Sequence, residues 1–400
     1  MHTQPARTLK VALVTETYPP EVNGVAASFA RVVQGLREHG HQLHLVRPAQ
    51  SRADQPGATT PHWQETLVRG LPIPRYLELR MGLPATKLLT RQWQDQRPDV
   101  VHLVTEGPLG WSALRAAKRL GLPVVSDFRT NFHAYTRHYG ISWLGHGVQA
   151  WLRHFHNRTD RTMVPTHRLA SELGACGFER LSVVARGVDA QRFSPSHRDL
   201  ALRTSWGADE HTRVALCVGR LAPEKNLDTV IDAWQAMRSA QSNTRLVFVG
   251  DGPEREWLQQ RCPDAVFVGA LRGTDLAHAY ASADVFLFAS MTETFGNVVP
   301  EAMASGLAVV AYEHAAAAEL IKHGANGQLA PLGNRNAFLR LAARLAVDAG
   351  RVDRLRQQAR KTALLLDWQR IVMGIEGEYR TAMTERALSH AHLAPALQAH

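Results

Sequence analysis

The chain has 400 residues, more than a single hydrophobic core usually holds, so we expect two domains. Hydrophobic residues make up 45% of the sequence and charged residues 20%, a balance that argues against a disordered chain. No apolar stretch reaches the roughly 18 residues of a membrane span. The start of the chain lacks a signal-peptide pattern, and the three scattered cysteines fit neither a disulfide framework nor a metal site. These features predict a cytoplasmic protein.

The positive charge is concentrated in the first half of the chain. Residues 1–190 contain 23 Lys and Arg against 14 Asp and Glu, a net charge of +9, whereas residues 191–400 contain 23 against 22. A basic half favours an anionic partner, which could be a phosphorylated ligand, an anionic lipid surface or a nucleic acid. The alternative is an arginine-rich solvated surface without a specific partner.

The first half alternates strand and helix patterns. Strand-like segments begin at residues 10, 42, 100, 122, 162 and 181, and helical patterns lie between them over residues 27–40, 111–121, 146–161 and 167–177. Strands separated by helices of this length indicate parallel βαβ units, in which helices cover both faces of the sheet.

The same pattern restarts near residue 213 and continues to residue 324, which indicates a second α/β unit of similar size. We therefore predict a first domain over residues 1–190 and a second over residues 191–365. A final helix over residues 366–387 has no strand after it, and residues 388–400 are predicted to be a disordered tail. Two consecutive sheets of this kind predict a crevice between domains that face each other.

The segment TETFGNVVPEAMASG, residues 292–306, places two carboxylates around a glycine turn and a helix start. Glu301 lies in the first helical turn, where it could simply stabilise the helix dipole. That explanation does not suit Glu293, which precedes the helix. A carboxylate can accept hydrogen bonds from two adjacent hydroxyls, and Gly296 lets a ligand approach the backbone. The pair therefore favours a sugar phosphate or a nucleotide sugar.

The segment GRLAPEKN, residues 219–226, adds two cations at the end of the strand that opens the second unit. Arg220 and Lys225 lie at the mouth of a helix, where positive charge opposes the helix dipole, so a purely structural role is disfavoured. A diphosphate would compensate both charges. The sequence has no Asp-x-Asp pair, so we expect no carboxylate-held metal ion at the phosphates. We also expect no cofactor.

Together with VGDGPE and residues 283–311, these segments resemble the donor half of retaining GT-B glycosyltransferases of family 4, including the E-x7-E pattern at Glu293 and Glu301. TYPPEVNGVA, RTNFHAYTRHYG and RGVDAQRFSP resemble the acceptor half. The resemblance covers about residues 8–385. It includes GDP-mannose-dependent α-mannosyltransferases and sulfoquinovosyl- or glucosyl-lipid synthases, and it implies two Rossmann-like domains with a C-terminal helix that crosses back to the first.

The resemblance assigns donor roles to several residues of the second unit. Arg220 and Lys225 would bind the diphosphate, and Glu301 would hold the ribose hydroxyls. Glu293 would lie near the hydroxyls of the transferred sugar. The backbone would contribute contacts at Phe295, Gly296 and Asn297.

In the first unit, the resemblance brings Gly24 to the donor β-phosphate, although an ordinary βα turn also explains this glycine. The family carries a histidine after the strand that matches LPVVSDF, and here that position is Arg129, with His133 four residues later. We predict that Arg129 and His133 both line the cleft. The alternative is a surface arginine and a histidine that packs against a helix.

The resemblance implies transfer of a hexose, with mannose from GDP-mannose as the first choice, to a lipid or glycan hydroxyl. A UDP-hexose donor and a nucleotide-sugar epimerase are alternatives.

A basic cluster in the first unit fits either an anionic membrane surface or an amphipathic helix. The cluster consists of Arg153, His154, His156, Arg158 and Arg161, beside Trp151, Leu152 and Phe155. A basic nucleic-acid-binding protein is the rival from another class, but sugar-type carboxylates argue against nucleic acid.

Overall fold

In the computed structural model, the described residues are 7–21, 23–51, 53–73, 76–129 and 142–393. The chain forms two compact units. The first unit ends at Ala185, the second extends from Arg186 to Asp367, and the chain returns to the first unit at Trp368. Each unit contains its own parallel sheet.

The first unit is a seven-stranded sheet with helices on both faces. Its strands are β1 (Lys10–Val14), β2 (Gln42–Pro48), β3 (Trp63–Val68), β4 (Gly70–Ile73), β5 (Tyr76–Gly82), β6 (Val100–Leu103), β7 (Val124–Asp127), β8 (Arg161–Val164) and β9 (Leu181–Val183). The main sheet has the order β3-β2-β1-β6-β7-β8-β9, and its registered pairs are all parallel. Strands β4 and β5 form a separate antiparallel hairpin.

The helices of this unit are α1 (Gly24–Glu38), α2 (Thr86–Asp95), α3 (Pro108–Arg119), α4 (Ser142–His156) and α5 (His167–Ala175). Successive residues of β1 point to opposite faces, as the pleat of a strand requires. Leu13 therefore packs in one core with Phe29 of α1, and Val14 packs in the other core with Ala113 of α3. Burial on both faces explains why the central strands are continuous apolar runs.

The second unit repeats this design with six strands. They are β10 (Arg213–Val218), β11 (Thr244–Val249), β12 (Val266–Phe267), β13 (Val285–Phe288), β14 (Ala308–Tyr312) and β15 (Gln328–Ala330), in the order β12-β11-β10-β13-β14-β15. The helices are α6 (Leu200–Ser205), α7 (Leu227–Ala240), α8 (Arg255–Arg261), α9 (Gly273–Ser282), α10 (Val298–Ala304), α11 (Ala315–Leu320), α12 (Arg335–Val347) and α13 (Ala349–Ala363). All pairs in the sheet are parallel.

The strand order of the second sheet determines where a ligand can bind. Strand β10 pairs with β11 on one side and with β13 on the other, so the chain reverses its direction of travel across the sheet between β10 and β13. In open parallel sheets, ligands bind beyond the carboxyl ends of the strands at such a switch point. The predicted donor segments both begin there.

The last helix, α14 (Trp368–Leu393), packs on the first unit, which confirms the predicted crossover. Val372 and Ile375 join the core around Phe29, and a side chain on Gly35 would overlap Val372 at 2.5 Å. The Tyr379 hydroxyl lies 2.8 Å from Nδ1 of buried His102. Apolar burial and this buried polar contact hold the helix in place.

The predicted α/β class with two Rossmann-like halves is confirmed, two local predictions need correction, and one region had no prediction. The helix predicted over residues 146–161 ends at His156, where the Thr159 hydroxyl donates to the His156 carbonyl, and Arg161 begins strand β8. The last helix continues to Leu393, although we predicted a disordered tail from residue 388. Strands β3–β5 and helix α2 lie in residues 49–99, for which the sequence pattern gave no prediction.

Candidate active site

The loop that follows β10 is built to hold its cations against the neighbouring strand. A single 3₁₀ turn over Pro223–Lys225 ends at Asn226, which adopts the left-handed conformation at φ 53°. The Asn226 amide donates to the Ala289 carbonyl just beyond β13, at 3.3 Å, and its oxygen accepts from Thr229. Asn tolerates this backbone conformation better than most residues. Asn226 therefore fixes the loop of Lys225 to the end of β13.

The loop that follows β13 turns sharply at Gly296, whose φ of +88° favours glycine. A β-carbon there would lie 3.4 Å from the Phe288 ring and 3.5 Å from Cγ of Glu293. Phe295 is buried, its carbonyl accepts a hydrogen bond from Ala316, and Arg186 lies over its ring. The turn thus anchors Phe295 in the core and leaves Glu293 partly exposed beside Lys225.

The two loops meet at Lys225 and Glu293, whose ammonium and carboxylate groups are in direct hydrogen-bonded contact. The side chains are 25% and 16% exposed, so the pair is partly accessible to solvent. A small pocket at this edge of the sheet is lined by Cys217, Val218, Gly219, Arg220, Lys225, Leu227, Phe288, Ala289 and Ser290. The pocket therefore lies at the β10–β13 switch point.

Arg220 extends from the same pocket into solvent. Its side chain is 51% exposed, and its guanidinium lies 3.9 Å from the Glu224 carboxylate. Such a loose, exposed ion pair contributes little to stability. The exposed guanidinium is accessible to an anionic ligand.

Glu301 lies in helix α10, and the buried Tyr280 hydroxyl donates to its Oε2 at 3.0 Å. Burial raises the pKa of Glu301 to about 7, although the hydrogen bond from Tyr280 opposes this shift. Phe193 packs edge-on against the Tyr280 ring. Tyr280 thus fixes the position of the Glu301 carboxyl group.

Two glycines of VGDGPE allow the loop after β11 to touch the backbone of the cation loop. A β-carbon on Gly250 would lie 1.9 Å from the Gly219 carbonyl oxygen, and one on Gly252 would lie 2.3 Å from that of Leu221. Backbone hydrogen bonds join Leu221 to Asp251 and Glu254. The motif therefore positions the loop of Arg220 through backbone contacts alone.

The predicted site residues of the first unit are Gly24 and Arg129, as donor-binding residues, and His133, as a catalytic residue. Gly24 is the first residue of α1, directly after Asn23, whose side chain caps the helix by accepting from Ala26 at 2.8 Å. His133 lies outside the described residues.

Arg129 is almost buried. It donates to Asp127 at 2.7 Å and to the Ser28 hydroxyl at 2.8 Å. Burial raises the pKa of Asp127, but the adjacent Arg129 guanidinium and the imidazole of His102 outweigh it and hold that pKa below its usual range. Arg129 thus ties the end of β7 to helix α1.

Comparison with known proteins decides the family. A family model described as Glycosyltransferase Family 4 matches residues 22–192, and one described as Glycosyl transferases group 1 matches residues 212–348. The GDP-mannose-dependent alpha-mannosyltransferase of Mycobacterium tuberculosis is 37% identical over 386 residues, which are 96% of this chain and 99% of that one. This chain belongs to glycosyltransferase family 4.

Other similarities extend over most of the glycosyltransferase. The alpha-monoglucosyldiacylglycerol synthase of Acholeplasma laidlawii is 25% identical, with 80% of this chain and 84% of that protein covered. The structure of sucrose-phosphate synthase from Thermosynechococcus elongatus is 17% identical, covers 95% of this chain and all of that one, and superposes with a TM-score of 0.75. The structural similarity shows a shared GT-B fold. Within the described residues, no helix combines the length and apolar character needed to cross a bilayer.

Sequence reasoning missed three site residues of the glycosyltransferase. Tyr280 and Ser290 lie in segments that look like ordinary buried helix and strand, so only the fold reveals that they face Glu301 and the pocket. Asn226 carried a usable signal, because an asparagine between a short turn and a helix often marks a left-handed residue.

The basic cluster of the first unit divides into buried and exposed residues. Leu152, Phe155 and His156 are buried, and Arg161 pairs with Glu378 and Glu385 of α14. The exposed members are Trp151, Arg153, His154 and Arg158. Helix α4 is therefore amphipathic, and its exposed side carries both positive charge and an aromatic ring.

Proposed function

We propose that this glycosyltransferase moves mannose from GDP-mannose to a hydroxyl of a lipid or glycan, with retention of configuration and without a metal ion. One observation carries the proposal, which is the contact of Lys225 with Glu293 at the β10–β13 switch point. It places a cation suited to phosphate beside a carboxylate suited to sugar hydroxyls. The name of the mycobacterial relative supports GDP-mannose as the donor.

Each donor group then has a partner of matching chemistry. Lys225 and the exposed Arg220 guanidinium neutralise the diphosphate, including the charge that develops on it as the glycosidic bond breaks. Glu301, held by Tyr280, accepts hydrogen bonds from the ribose hydroxyls. Once Lys225 turns to the phosphate, Glu293 accepts hydrogen bonds from the mannose hydroxyls.

The reaction needs no protein nucleophile in this mechanism. The bond from the anomeric carbon to the diphosphate oxygen breaks, and the acceptor hydroxyl oxygen bonds to that carbon from the same face. The acceptor proton passes to a departing phosphate oxygen, so charge and atoms balance. The side chains contribute positioning and electrostatic stabilisation, which together are worth several kcal/mol, or about 10²–10⁴ in rate.

A donor panel tests this proposal. The purified protein is incubated with GDP-mannose, UDP-glucose and UDP-galactose, each with and without a membrane lipid extract, and released nucleotide and products are measured. We expect acceptor-dependent GDP release. Release of UDP from a UDP-sugar would show that the donor is not GDP-mannose. Conversion of the donor sugar without an acceptor would indicate an epimerase. NMR of the product linkage tests retention, and activity after EDTA treatment tests metal independence.

Variants of the ion pair test the assignment of the site. Glu293→Ala and Lys225→Ala should each reduce turnover by roughly 10²-fold or more, since each removes a group that contacts the reacting donor. The matched control is the exposed pair of Arg238 and Asp264 in the same unit. Replacing either control residue by alanine should leave turnover unchanged. Unchanged rates in both pocket variants, with folding intact, would contradict the proposal.

The exposed side of α4 is suited to contact an anionic membrane surface, where the enzyme would meet a lipid acceptor. The Trp111 and Trp151 rings lie 4.9 Å apart, and Trp151 is 39% exposed. Arg158 lies over Trp111 and contacts His154. Aromatic rings beside cations suit the lipid headgroup region. The name of the Acholeplasma relative, a diacylglycerol glycolipid synthase, agrees with such an acceptor.

A further inference from the structure

Ser290 follows β13 and lines the pocket that also contains Arg220 and Lys225. The residue is only 3% exposed, and its hydroxyl has no hydrogen-bond partner within the described part of the chain. Buried hydroxyl groups in proteins are normally hydrogen-bonded, because burial without a partner forfeits the bonds made in water. The Ser290 hydroxyl is therefore a polar group whose position needs an explanation.

The surroundings of Ser290 indicate which ligand would satisfy it. The residues that line the pocket with Ser290 include two cations, Arg220 and Lys225, and the carboxylate of Glu293 is in contact with Lys225. An anion drawn to these cations brings several acceptor oxygens to the same small space. A serine hydroxyl rotates between staggered positions at low cost, so it can turn to donate to such an oxygen.

We infer that Ser290 is a donor-binding residue whose hydroxyl donates a hydrogen bond to the diphosphate of the nucleotide sugar. The inference rests on the proposed function and adds a third, uncharged phosphate ligand to Lys225 and Arg220. It also explains why a polar residue occupies the end of an otherwise apolar buried strand, since alanine or valine would pack there without an unpaired hydroxyl.

Ser290→Ala tests this inference through two measurements on the full-length protein. Isothermal titration calorimetry with GDP should show binding at least roughly tenfold weaker than wild type, as expected for the loss of a hydrogen bond to a charged group. The melting temperature without nucleotide should be unchanged or slightly higher, because the variant removes an unpaired buried hydroxyl. Ser290→Thr, which keeps the hydroxyl, should recover part of the affinity.

Ser305→Ala is the matched control. Ser305 is also fully buried, and its hydroxyl has no hydrogen-bond partner among the described residues, but it follows α10 and does not line the pocket. Its replacement should leave the GDP dissociation constant unchanged.

The outcomes separate the inference from the function on which it depends. Wild-type protein that binds GDP, together with a Ser290→Ala variant that binds it equally well, would overturn the inference and leave the proposed function in place. A marked loss of melting temperature in Ser290→Ala without nucleotide would also overturn it, because the hydroxyl would then have a structural partner. Wild-type protein that binds neither GDP nor UDP would overturn the proposed function itself.

Discussion

At the scale of single residues, Glu301 links the site to pH. Burial raises its pKa to about 7, and the folded protein therefore holds this proton more tightly than the unfolded chain does. Its contribution to stability is complete below the unfolded pKa near 4.5 and is lost as pH rises through about 7. The ionised form accepts the ribose hydroxyls better, so we expect the KM for GDP-mannose to fall as pH rises through the same range.

Tyr280→Phe should move this pH dependence. The Tyr280 hydroxyl stabilises the ionised carboxylate, so its removal should raise the pKa of Glu301 further and shift the KM profile to higher pH. KM and kcat measured between pH 5.5 and 8.5 check this. Glu301→Gln, which cannot ionise, should flatten the profile. A Tyr280→Phe profile that coincides with wild type would show that the hydroxyl does not act through Glu301.

Because Lys225 contacts Glu293, we expect Glu293→Gln to have opposite effects on GDP binding and on turnover of GDP-mannose. GDP alone must separate the two side chains without offering Glu293 a sugar, whereas GDP-mannose offers a partner to both. In Glu293→Gln, Lys225 no longer has a charged competitor, so GDP should bind roughly two- to fivefold more tightly, as expected for a partly exposed ion pair. Turnover of GDP-mannose should nevertheless fall.

Calorimetric titration with GDP checks this prediction, with Asp264→Asn as the control for the change in net charge. Asp264 is an exposed acid of the same unit that does not line the pocket, so its replacement should leave the affinity unchanged. Equal or weaker binding of GDP to Glu293→Gln would mean that the ion pair does not compete with the diphosphate.

At the scale of elements, loops that touch through their backbones hold the site in place. Gly250 lies against the Gly219 carbonyl, so Gly250→Ala must push the loop of Arg220 and Lys225 away from β11. We expect a loss of about 1–3 kcal/mol in stability from strain and displacement, and a loss of GDP binding although no charged residue has changed. Differential scanning calorimetry and GDP titration measure the two effects.

Gly324→Ala separates displacement from backbone strain. Gly324 also has a positive φ, +78°, but a β-carbon there meets nothing within 4 Å. This variant should lose roughly 1 kcal/mol and keep GDP affinity. If both variants bind GDP like wild type, the backbone contact does not position the cation loop.

At the scale of the whole molecule, the charge asymmetry predicts salt-dependent binding to anionic lipid. Wild-type protein should co-sediment with vesicles of phosphatidylglycerol but not of phosphatidylcholine, and sodium chloride should weaken binding by screening. The double variant Arg153→Glu, Arg158→Glu should bind more than roughly tenfold more weakly. Arg238→Glu with Arg261→Glu, an equal charge change in the second unit, should have little effect. Equal loss in both double variants would assign the effect to net charge and not to the basic residues in and just after helix α4.

The sequence determined the class of fold and the chemistry of the donor loops. Alternating apolar runs and helical patterns require parallel βαβ units, because buried strands and amphipathic helices leave few other ways to cover apolar surface. Local sequence was enough to select three site residues. Arg220 and Lys225 are cations at a helix start, where positive charge opposes the helix dipole, and Glu293 lies before its helix, where stabilisation of the dipole does not explain it. Strands β3–β5 and the end of α4 could not be predicted from the sequence, since tertiary contacts outweigh weak local preferences there.

Only the tertiary structure decided which residues meet. Strand order places β13 beside β10, although 66 residues separate their ends in the chain, from Val218 to Val285 by number. That pairing brings Glu293 to Lys225. Helix packing directs Tyr280 at Glu301, and the Ser290 hydroxyl has no partner in the part of the chain that the structure describes. Local sequence cannot specify such contacts, because they depend on how sheet and helices pack around one core and not on the residues adjacent in the chain.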